Sequence, residues 1–179
     1  MIPDGHEIRR AVPEDIVFLA EVERKAGTLF ETYPDETGLT DDILTRVNPI
    51  GNFQRAQEAG HLWVAVAPKG QVVGFALVLE IGGYAHLDEL DVLPSHGRRG
   101  LGSALLDAVC SWAVETGYPA VTLRTFRDVP WNGPFYGRRG FHVVDSSQLS
   151  AEHVELEALE RQRGLRPGFR VSMKYSVAG

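Results

Sequence analysis

Three β-rich segments in immediate succession constrain the fold of this chain more than any other feature of its sequence. HLWVAVA (61–67) and VVGFALVLEI (72–81) are separated only by PKGQ, a stretch typical of a β-hairpin turn. AHLDELDVL (85–93) follows as a third β-rich segment. Connections this short join antiparallel strands, because parallel neighbours need a crossover of a dozen or more residues. The centre of the chain therefore predicts at least one antiparallel β-hairpin.

Segments on either side of these strands alternate between helical and β-rich patterns. HEIRRAV (6–12) predicts a strand, and PEDIVFLAEVERKAG (13–27) predicts a helix with Pro13 in its first turn and Gly27 at its end. The other predicted elements are a loop at 28–51 with a short helix near 41–47, a helix before Gly60, a helix ending near Glu115, a strand at 120–126, a short helix within 131–140, a strand at 141–145, a helix at 151–164 and a strand at 169–177. This mixture of hairpins and helical connections indicates a mixed sheet in a single α/β domain over 1–179, with a C-terminal helix and strand in 147–179.

Composition and charge exclude several classes of protein. The formal net charge of -6 argues against nucleic acid as a partner, because a nucleic-acid binder carries a basic face. Cys110 is the only cysteine, so an internal disulfide and a thiolate metal cluster are both excluded, and we expect no metal. No signal peptide is apparent, and no apolar stretch approaches the roughly 20 residues of a membrane span. We therefore expect a cytoplasmic protein with neither nucleic-acid nor membrane partners.

The stretch LPSHGRRGLGSALLDAV (93–109) joins the third β-rich segment to a helix. Its turn contains Gly97, Gly100 and Gly102, and glycine allows the main chain to approach a ligand closely. The helix that follows offers unpaired N–H groups and the positive end of its dipole, and two adjacent arginines add donors for phosphate oxygens. These features predict an anion site. The alternative is a tight turn with solvated arginines.

Two common phosphate-binding motifs do not fit this turn. A P-loop needs Lys and then Ser or Thr after its last glycine, whereas Ser103 follows Gly102 directly. A dinucleotide-binding fingerprint needs Gly-x-Gly-x-x-Gly near the first strand of the chain, and the order here is Gly-x-x-Gly-x-Gly.

The turn does resemble motif A of the Gcn5-related N-acetyltransferase (GNAT) family. That motif reads V-x-P-x-x-(Q/R)-x-x-G-x-(G/A), and Val92, Pro94, Gly100 and Gly102 match it, with Gly97 in place of Gln or Arg as the one departure. FYGRRGF (135–141) resembles motif B of the family, and IRRAVPEDIVFLAEVE (8–23) resembles its first strand and helix. The resemblance extends over residues 7–145.

The resemblance implies a fold, a cosubstrate and a coenzyme site. The fold is a mixed, mostly antiparallel sheet with splayed central strands and flanking helices, and the cosubstrate is acetyl-CoA. The pantetheine arm would lie along the end of a strand and the pyrophosphate on the N–H groups of the turn. The residues so implicated are Leu90, Asp91, Val92, Arg98, Arg99, Gly100, Leu101, Gly102 and Ser103.

Acetyl transfer to an amine also needs a proton donor for the thiolate and a base for the ammonium group. The resemblance implies that Tyr136 is the donor, and the alternative is an aromatic anchor for its helix. For the base, the strand 85–93 offers Glu89, which we favour, and His86 as the second candidate. Strict alternation would place these two side chains on opposite faces of the strand. We expect Asp91 to be a surface carboxylate.

The remaining candidates concern the amine acceptor and motif B. By resemblance, the acceptor pocket would contain Glu23, Phe30, Tyr33 and Trp131, a set that suits a small cationic amine. The alternative is that the first helix is simply amphipathic and that its acidic residues, including Glu23, face solvent. Asn132 either contacts the coenzyme or caps the helix that follows it. Arg124 occupies the position at which ribosomal-protein-acetylating members carry a glutamate, which argues against their mechanism.

The sequence thus predicts an N-acetyltransferase acting on a primary amine of a small molecule or a peptide. The first alternative is an acyl-CoA-binding regulatory module without turnover, and a further alternative is a nucleotide phosphate binder. Dimerisation is common in the family, and the final strand FRVSMKYSV (169–177) is a candidate for pairing across a homodimer interface.

Overall fold

The computed structural model describes residues 2–177; Met1, Ala178 and Gly179, which the predicted domain includes, lie outside the described residues. The strands are β1 (Glu7–Arg10), β2 (Leu62–Val66), β3 (Val72–Ile81), β4 (Tyr84–Val92), β5 (Ala120–Phe126), β6 (His142–Val144) and β7 (Arg170–Ser176). The α-helices are α1 (Ile16–Gly27), α2 (Pro34–Thr37), α3 (Asp41–Leu44), α4 (Ile50–Glu58), α5 (Leu101–Thr116), α6 (Gly133–Arg138) and α7 (Ala151–Gln162). Short 3₁₀ turns lie at Pro13–Asp15, Thr28–Thr32, Pro94–His96 and Ser146–Gln148.

The seven strands form one mostly antiparallel sheet in the order β1-β2-β3-β4-β5-β7-β6, flanked by helices. The predicted hairpin is confirmed, because β2 and β3 pair antiparallel with Leu62 opposite Leu77. The fold class predicted from the sequence is therefore confirmed. No helix within residues 2–177 is long and apolar enough to cross a membrane.

The chain divides into two compact units. The first unit contains the residues up to Leu29 together with Thr45–Leu79 and Leu87–Trp112. The second unit contains Phe30–Leu44, Glu80–His86 and the residues from Ala113 onward.

The first unit has its core where α1 and α4 pack with the strands β1–β3. Every residue of β2 is buried, as expected for a strand covered on both faces. Phe53 of α4 and Phe75 of β3 are fully buried, and their rings meet edge to face with centroids 5.4 Å apart. On β1, the Arg10 guanidinium lies 3.8 Å above the ring of Trp63. This packing gives α1 a fixed inner face that includes Leu19.

The second unit is built on β5, β7 and β6. β7 lies between the other two strands and pairs antiparallel with both, with Met173 opposite Leu123 of β5 and Val143 of β6. The predicted C-terminal helix and strand are thus present, but β7 has neighbours on both edges. The expectation that this strand pairs across a dimer interface is therefore wrong, because β6 and not β7 ends the sheet on that side.

The segment 28–51 contains more helix than its composition predicts. A 3₁₀ turn at Thr28–Thr32 and helix α2 precede α3, which ends at Leu44 rather than near 47. Pro34 stands in the first turn of α2, where its missing N–H costs no hydrogen bond. Gly38 ends the helix with a φ of 60° and donates its N–H to the carbonyl of Pro34. The proline and glycine that predicted a loop therefore delimit a one-turn helix.

Candidate functional site

The turn between β4 and α5 has an unusual backbone. Arg98 has a φ of 57° and is the one non-glycine residue in the described part of the chain with a positive φ. Gly100 also has a positive φ, 83°, and its carbonyl accepts the first hydrogen bond of α5 from Ala104. Left-handed backbone at a residue with a side chain costs roughly 1–2 kcal/mol. Turns of this kind next to a helix N-terminus are a common setting for anion binding by main-chain N–H groups.

The side chains of this turn divide into exposed charges and a buried anchor. Arg98 and Arg99 are exposed, whereas Leu101 is 1% exposed and fixes the start of α5 in the core of the first unit. Ser103 is half-buried. His96 precedes the turn, and burial together with the nearby Arg99 lowers the pKa of its imidazole. The arginines thus remain available to an anion.

Strand β4 is buried over residues 85–87 and half-buried over residues 88–92. At its end, Leu93 donates its N–H to the carbonyl of Val73 at 2.8 Å. A side chain at Gly74 would bring its Cβ within 2.7 Å of the Asp91 carbonyl oxygen, so a glycine on β3 is required for this close approach. Gly74 is not among the residues predicted from the sequence, although an isolated glycine within a strand pattern is a known signal of close backbone approach.

Glu23 of α1 lies half-buried among other polar groups of the first unit. Both of its carboxylate oxygens accept the backbone N–H of Asn48, at 3.1 and 2.9 Å, and Oε1 also accepts from Nδ2 of Asn48 at 3.0 Å. Burial, and secondarily the negative charge of Asp88, raise the pKa of Glu23 to about 7 even though the Asn48 donors lower it. On the same helix, Glu21 is exposed and pairs with Arg24 and Lys25. The helix therefore turns one acid to solvent and the other inward.

Asp91 is not the surface carboxylate that the sequence predicts. Burial and the neighbouring Glu23 raise the pKa of its carboxyl well above the ordinary value. Two neighbouring carboxyl groups that repel each other titrate as a pair. The sequence does not mark Asn48 as a partner, because no motif surrounds it.

His86 of β4 belongs to a buried hydrogen-bonded chain in the second unit. Its Nδ1 lies 2.9 Å from Oγ1 of Thr122, which in turn lies 3.0 Å from Nε2 of His153. Nδ1 of His153 lies 2.8 Å from Oγ of Ser150, the residue that caps α7. Burial, and then the charge of the neighbouring His153, lower the pKa of His86 to about 3. His86 is therefore a neutral group tying β4, β5 and α7 together.

Tyr136 on α6 is 8% exposed, and aromatic residues surround its ring. The ring meets those of Phe135 and Phe141 at centroid distances of 5.1 and 5.6 Å. These contacts fix the direction of the phenol within the second unit.

Asn132 stands at the N-terminus of α6 but does not cap it with its side chain. Its Oδ1 instead accepts the hydroxyl of Thr125 at 2.8 Å and the N–H of Phe126 at 3.4 Å. The capping alternative is therefore wrong, because strand β5 occupies the side-chain oxygen. The next residue, Gly133, lies so close to the carbonyl of Arg127 that a Cβ there would overlap it.

Three of the four predicted acceptor residues come together in the second unit. The Trp131 ring lies edge-on to Tyr33 at 4.9 Å and tilted to Phe30 at 5.7 Å. Phe30 also borders a cavity of about 270 Å³ whose other walls come from the segment after α1. The cavity lining consists of Phe30, Glu31, Pro34, Thr37, Leu39, Asp41 and Leu44. The fourth predicted residue, Glu23, belongs to the first unit.

Comparison with known proteins decides the family. The model of the acetyltransferase (GNAT) family matches residues 24–141, well over half of the chain. The chain belongs to the GNAT acetyltransferase family. The matched range includes the turn after β4 and the α6 segment, and members of the family are enzymes that use acyl-CoA.

Solved structures share this fold at low sequence identity. The PaiA N-acetyltransferase from Thermoplasma acidophilum, in complex with coenzyme A, is 19% identical with a TM-score of 0.71, over 96% of this chain and 98% of that chain. The ribosomal-protein-S18-alanine N-acetyltransferase from Escherichia coli is 14% identical with a TM-score of 0.67, over 97% and 95%. The N-acetylglutamate synthase from Neisseria gonorrhoeae, complexed with coenzyme A and N-acetyl-glutamate, is 17% identical with a TM-score of 0.68, over 97% of this chain and 35% of that chain.

Arg124 has a structural environment in this GNAT chain. Its side chain is 7% exposed and pairs with Glu160 at 2.8 Å and with Glu157 at 3.3 Å, both on α7. It also donates to Oγ of Ser172 on β7 at 2.8 Å. The arginine thus attaches α7 to the strands of the second unit. Within residues 2–177, no group of three or more His, Cys, Asp or Glu side chains is arranged to hold a metal ion.

Proposed function

We propose that this protein transfers the acetyl group of acetyl-CoA to a primary amine of a small molecule or a peptide by direct attack. The observation that carries the proposal is the turn between β4 and α5, where motif A coincides with left-handed backbone at Arg98 and Gly100. Such a turn opens a 16-residue helix toward an anion. Family membership supports the thioester as the acyl donor.

Coenzyme A is the cosubstrate in this proposal. Its pyrophosphate would bind the N–H groups of Arg98–Ser103, with the two arginine side chains as additional donors. The pantetheine arm would lie along Leu90–Val92, whose backbone groups polarise the thioester carbonyl. Two structures of similar fold, those from Thermoplasma and Neisseria, contain coenzyme A, which supports this assignment. The Asn132 side chain is a further candidate contact for the coenzyme.

The chemical step needs an acid and a base. Tyr136 would donate its phenolic proton to the departing thiolate, and the contacts of its ring with Phe135 and Phe141 hold it in place. Glu89, half-buried on β4, is the carboxylate that would take the ammonium proton. The buried contacts and low pKa of His86 favour a structural role for it.

The acceptor would be a small cationic amine. The rings of Phe30, Tyr33 and Trp131 offer faces that attract a cation. The cavity beside Phe30 carries two carboxylates, Glu31 and Asp41, together with apolar walls. This composition suits an amine with an apolar body and a positive head.

Thiol release from acetyl-CoA over a panel of primary amines and peptides tests the proposal. We expect turnover with at least one cationic amine, and tight binding of coenzyme A by calorimetry. Coenzyme A binding without turnover on any amine would support a regulatory module instead. A rise of the melting temperature with ATP but not with coenzyme A would support a nucleotide phosphate binder. Light scattering on the same samples measures whether the protein is a homodimer.

A further inference from the structure

A single residue holds the carboxylate of Glu23 on both oxygens. The backbone N–H of Asn48 donates to both Oε1 and Oε2 of Glu23, and the side-chain Nδ2 of Asn48 donates to Oε1. The three N···O distances are at most 3.1 Å. Three contacts to one residue leave a carboxylate little rotational freedom. The arrangement fixes the plane of the Glu23 carboxyl group.

Asn48 is itself held by a chain of donors that begins on α4. The guanidinium of Arg55 donates to Oδ1 of Asn52 at 2.6 Å, and Nδ2 of Asn52 donates to Oδ1 of Asn48 at 3.1 Å. An arginine can only donate, so Asn52 must present its oxygen to Arg55 and its NH₂ group to Asn48. Because Oδ1 of Asn48 accepts from Asn52, the NH₂ group of Asn48 is the one that donates to Glu23.

In this chain of hydrogen bonds, each residue therefore donates to the next one toward Glu23, and the Glu23 carboxylate is the final acceptor. The last member of the chain donates to Glu23, which favours the ionised carboxylate. Burial and the acidic neighbours Asp88 and Asp91 work in the opposite sense and favour the proton. Glu23 is thus a carboxyl group in fixed geometry that is balanced between its two protonation states, a balance that a general base requires.

We propose that Glu23 is the group that accepts the ammonium proton of the acceptor, and that Asn48, Asn52 and Arg55 are its positioning residues. The proposal rests on the proposed acetyl transfer and names the base of that reaction. It replaces Glu89, which the sequence favours, and it goes beyond the substrate-binding role predicted for Glu23.

The proton balance is as follows. The R–NH₃⁺ group of the acceptor gives one proton to the Glu23 carboxylate and becomes R–NH₂. The amine nitrogen attacks the thioester carbonyl carbon, the C–N bond forms, and the C–S bond breaks with its electron pair on sulfur. Tyr136 gives its phenolic proton to the thiolate, which becomes CoA–SH, and the second proton that the nitrogen loses as the amide forms restores the phenol. One proton remains on Glu23 and leaves to water, so that the carboxylate is restored.

The test is the pH dependence of kcat/KM for the best amine at saturating acetyl-CoA. In the wild type we expect kcat/KM to fall toward low pH as Glu23 is protonated, which gives an acid limb with a midpoint near pH 7. Glu23→Gln removes this limb and lowers kcat about 10²–10⁴-fold, whereas Glu21→Gln, the matched change of an exposed acid on the same helix, leaves both unchanged.

The positioning residues are tested through the midpoint of the same limb. Asn48→Ala removes the side-chain donor to the Glu23 carboxylate and keeps the backbone N–H, so the limb moves to higher pH. Asn52→Ala, one step further out, moves it in the same direction by less. Gln54→Ala, an exposed change on α4, does not move it. A residue with only a structural role would lower the melting temperature of the protein without moving the limb.

Three outcomes would overturn the inference. The limb stays in place in Glu23→Gln, or it disappears in Glu89→Gln instead, or it does not move in either asparagine variant although both remain folded by circular dichroism. An absence of wild-type turnover on every amine would be a different result, since it contradicts the proposed acetyl transfer and the base assignment with it.

Discussion

Gly97 has a backbone conformation open to any residue, whereas the adjacent Arg98 has the left-handed conformation that favours glycine. Gly97, the residue that departs from motif A, has a φ of -64° and a ψ of 158°, which any residue can adopt. Arg98 takes the left-handed conformation, with a φ of 57°. The backbone therefore does not require glycine at position 97, and it strains the arginine that follows.

Exchanging residue types at these two positions has predictable effects on stability and on binding. Gly97→Ala should change the free energy of unfolding by less than about 1 kcal/mol, because its Cβ would meet only the Pro94 carbonyl oxygen, at 3.3 Å. Arg98→Gly should stabilise the protein by about 1 kcal/mol, because the strain is released, and it should weaken coenzyme A binding through loss of a cationic donor. Urea unfolding and calorimetry measure the two effects. Equal stability of Arg98→Gly and wild type would contradict the assigned strain.

Gly74 lies on β3, and Gly74→Ala should displace the backbone at the end of the neighbouring strand β4. The added Cβ would lie 2.7 Å from the Asp91 carbonyl oxygen, a contact that only a backbone shift can relieve. We expect a loss of about 1–3 kcal/mol in the free energy of unfolding and weaker coenzyme A binding, since Asp91 and Val92 belong to the proposed pantetheine strand. Gly70→Ala is the control for coenzyme binding, because no atom lies within 4 Å of its added Cβ, although its φ of 80° carries its own strain. Unchanged coenzyme affinity in Gly74→Ala would argue against the proposed path of the pantetheine arm.

Tyr136→Phe tests the proposed acid without removing the aromatic ring. The ring contacts with Phe135 and Phe141 are kept, so we expect the melting temperature to change little. Turnover should fall by about 10²-fold or more, with little change in coenzyme A affinity, because only the proton donor is lost. Tyr118→Phe is the matched control, since its hydroxyl bonds to the exposed Glu80. Wild-type turnover of Tyr136→Phe across the pH range would remove this phenol from the mechanism.

The parts of this molecule that were predictable from sequence are those with local signals. The β2–β3 hairpin, α5 with its glycine turn and α6 with its tyrosine each lie within a short stretch whose residue types determine them. The position of β7 between β5 and β6 has no such signal, because it depends on pairing between segments far apart in the chain.

The same distinction applies to the candidate site. The contacts of Glu23 with Asn48 join residues 25 positions apart, and the burial of Asp91 depends on what packs against β4. Alternation along a strand indicates which faces its side chains occupy, but not how much water the finished fold leaves beside them. For this reason the sequence favours Glu89 as the base, whereas the contacts of the folded chain favour Glu23.

The raised pKa of Glu23 also predicts how the stability of the protein depends on pH. The folded carboxyl has a pKa of about 7, against an ordinary value of 4.5, so the folded state holds a proton that the unfolded state has already lost. Compared with a neutral side chain, Glu23 does not lower the free energy of unfolding below about pH 4.5. The free energy of unfolding then falls as the pH rises from about 4.5 to 7, by about 3 kcal/mol once Glu23 is fully ionised in the folded state. The raised pKa of Asp91 acts in the same direction.

Urea unfolding of the wild type and of Glu23→Gln at pH values from 5 to 8 measures this contribution. We expect the variant to gain stability relative to the wild type as the pH increases, with the change centred between pH 4.5 and 7. Glu21→Gln is the control, because its arginine and lysine partners lower the pKa of Glu21 to about 2 and its ionisation is complete over this range. A stability difference between wild type and Glu23→Gln that stays constant from pH 5 to 8 would show that Glu23 is already ionised at pH 5. Glu23 would then be unsuited to hold the proton that acetyl transfer releases.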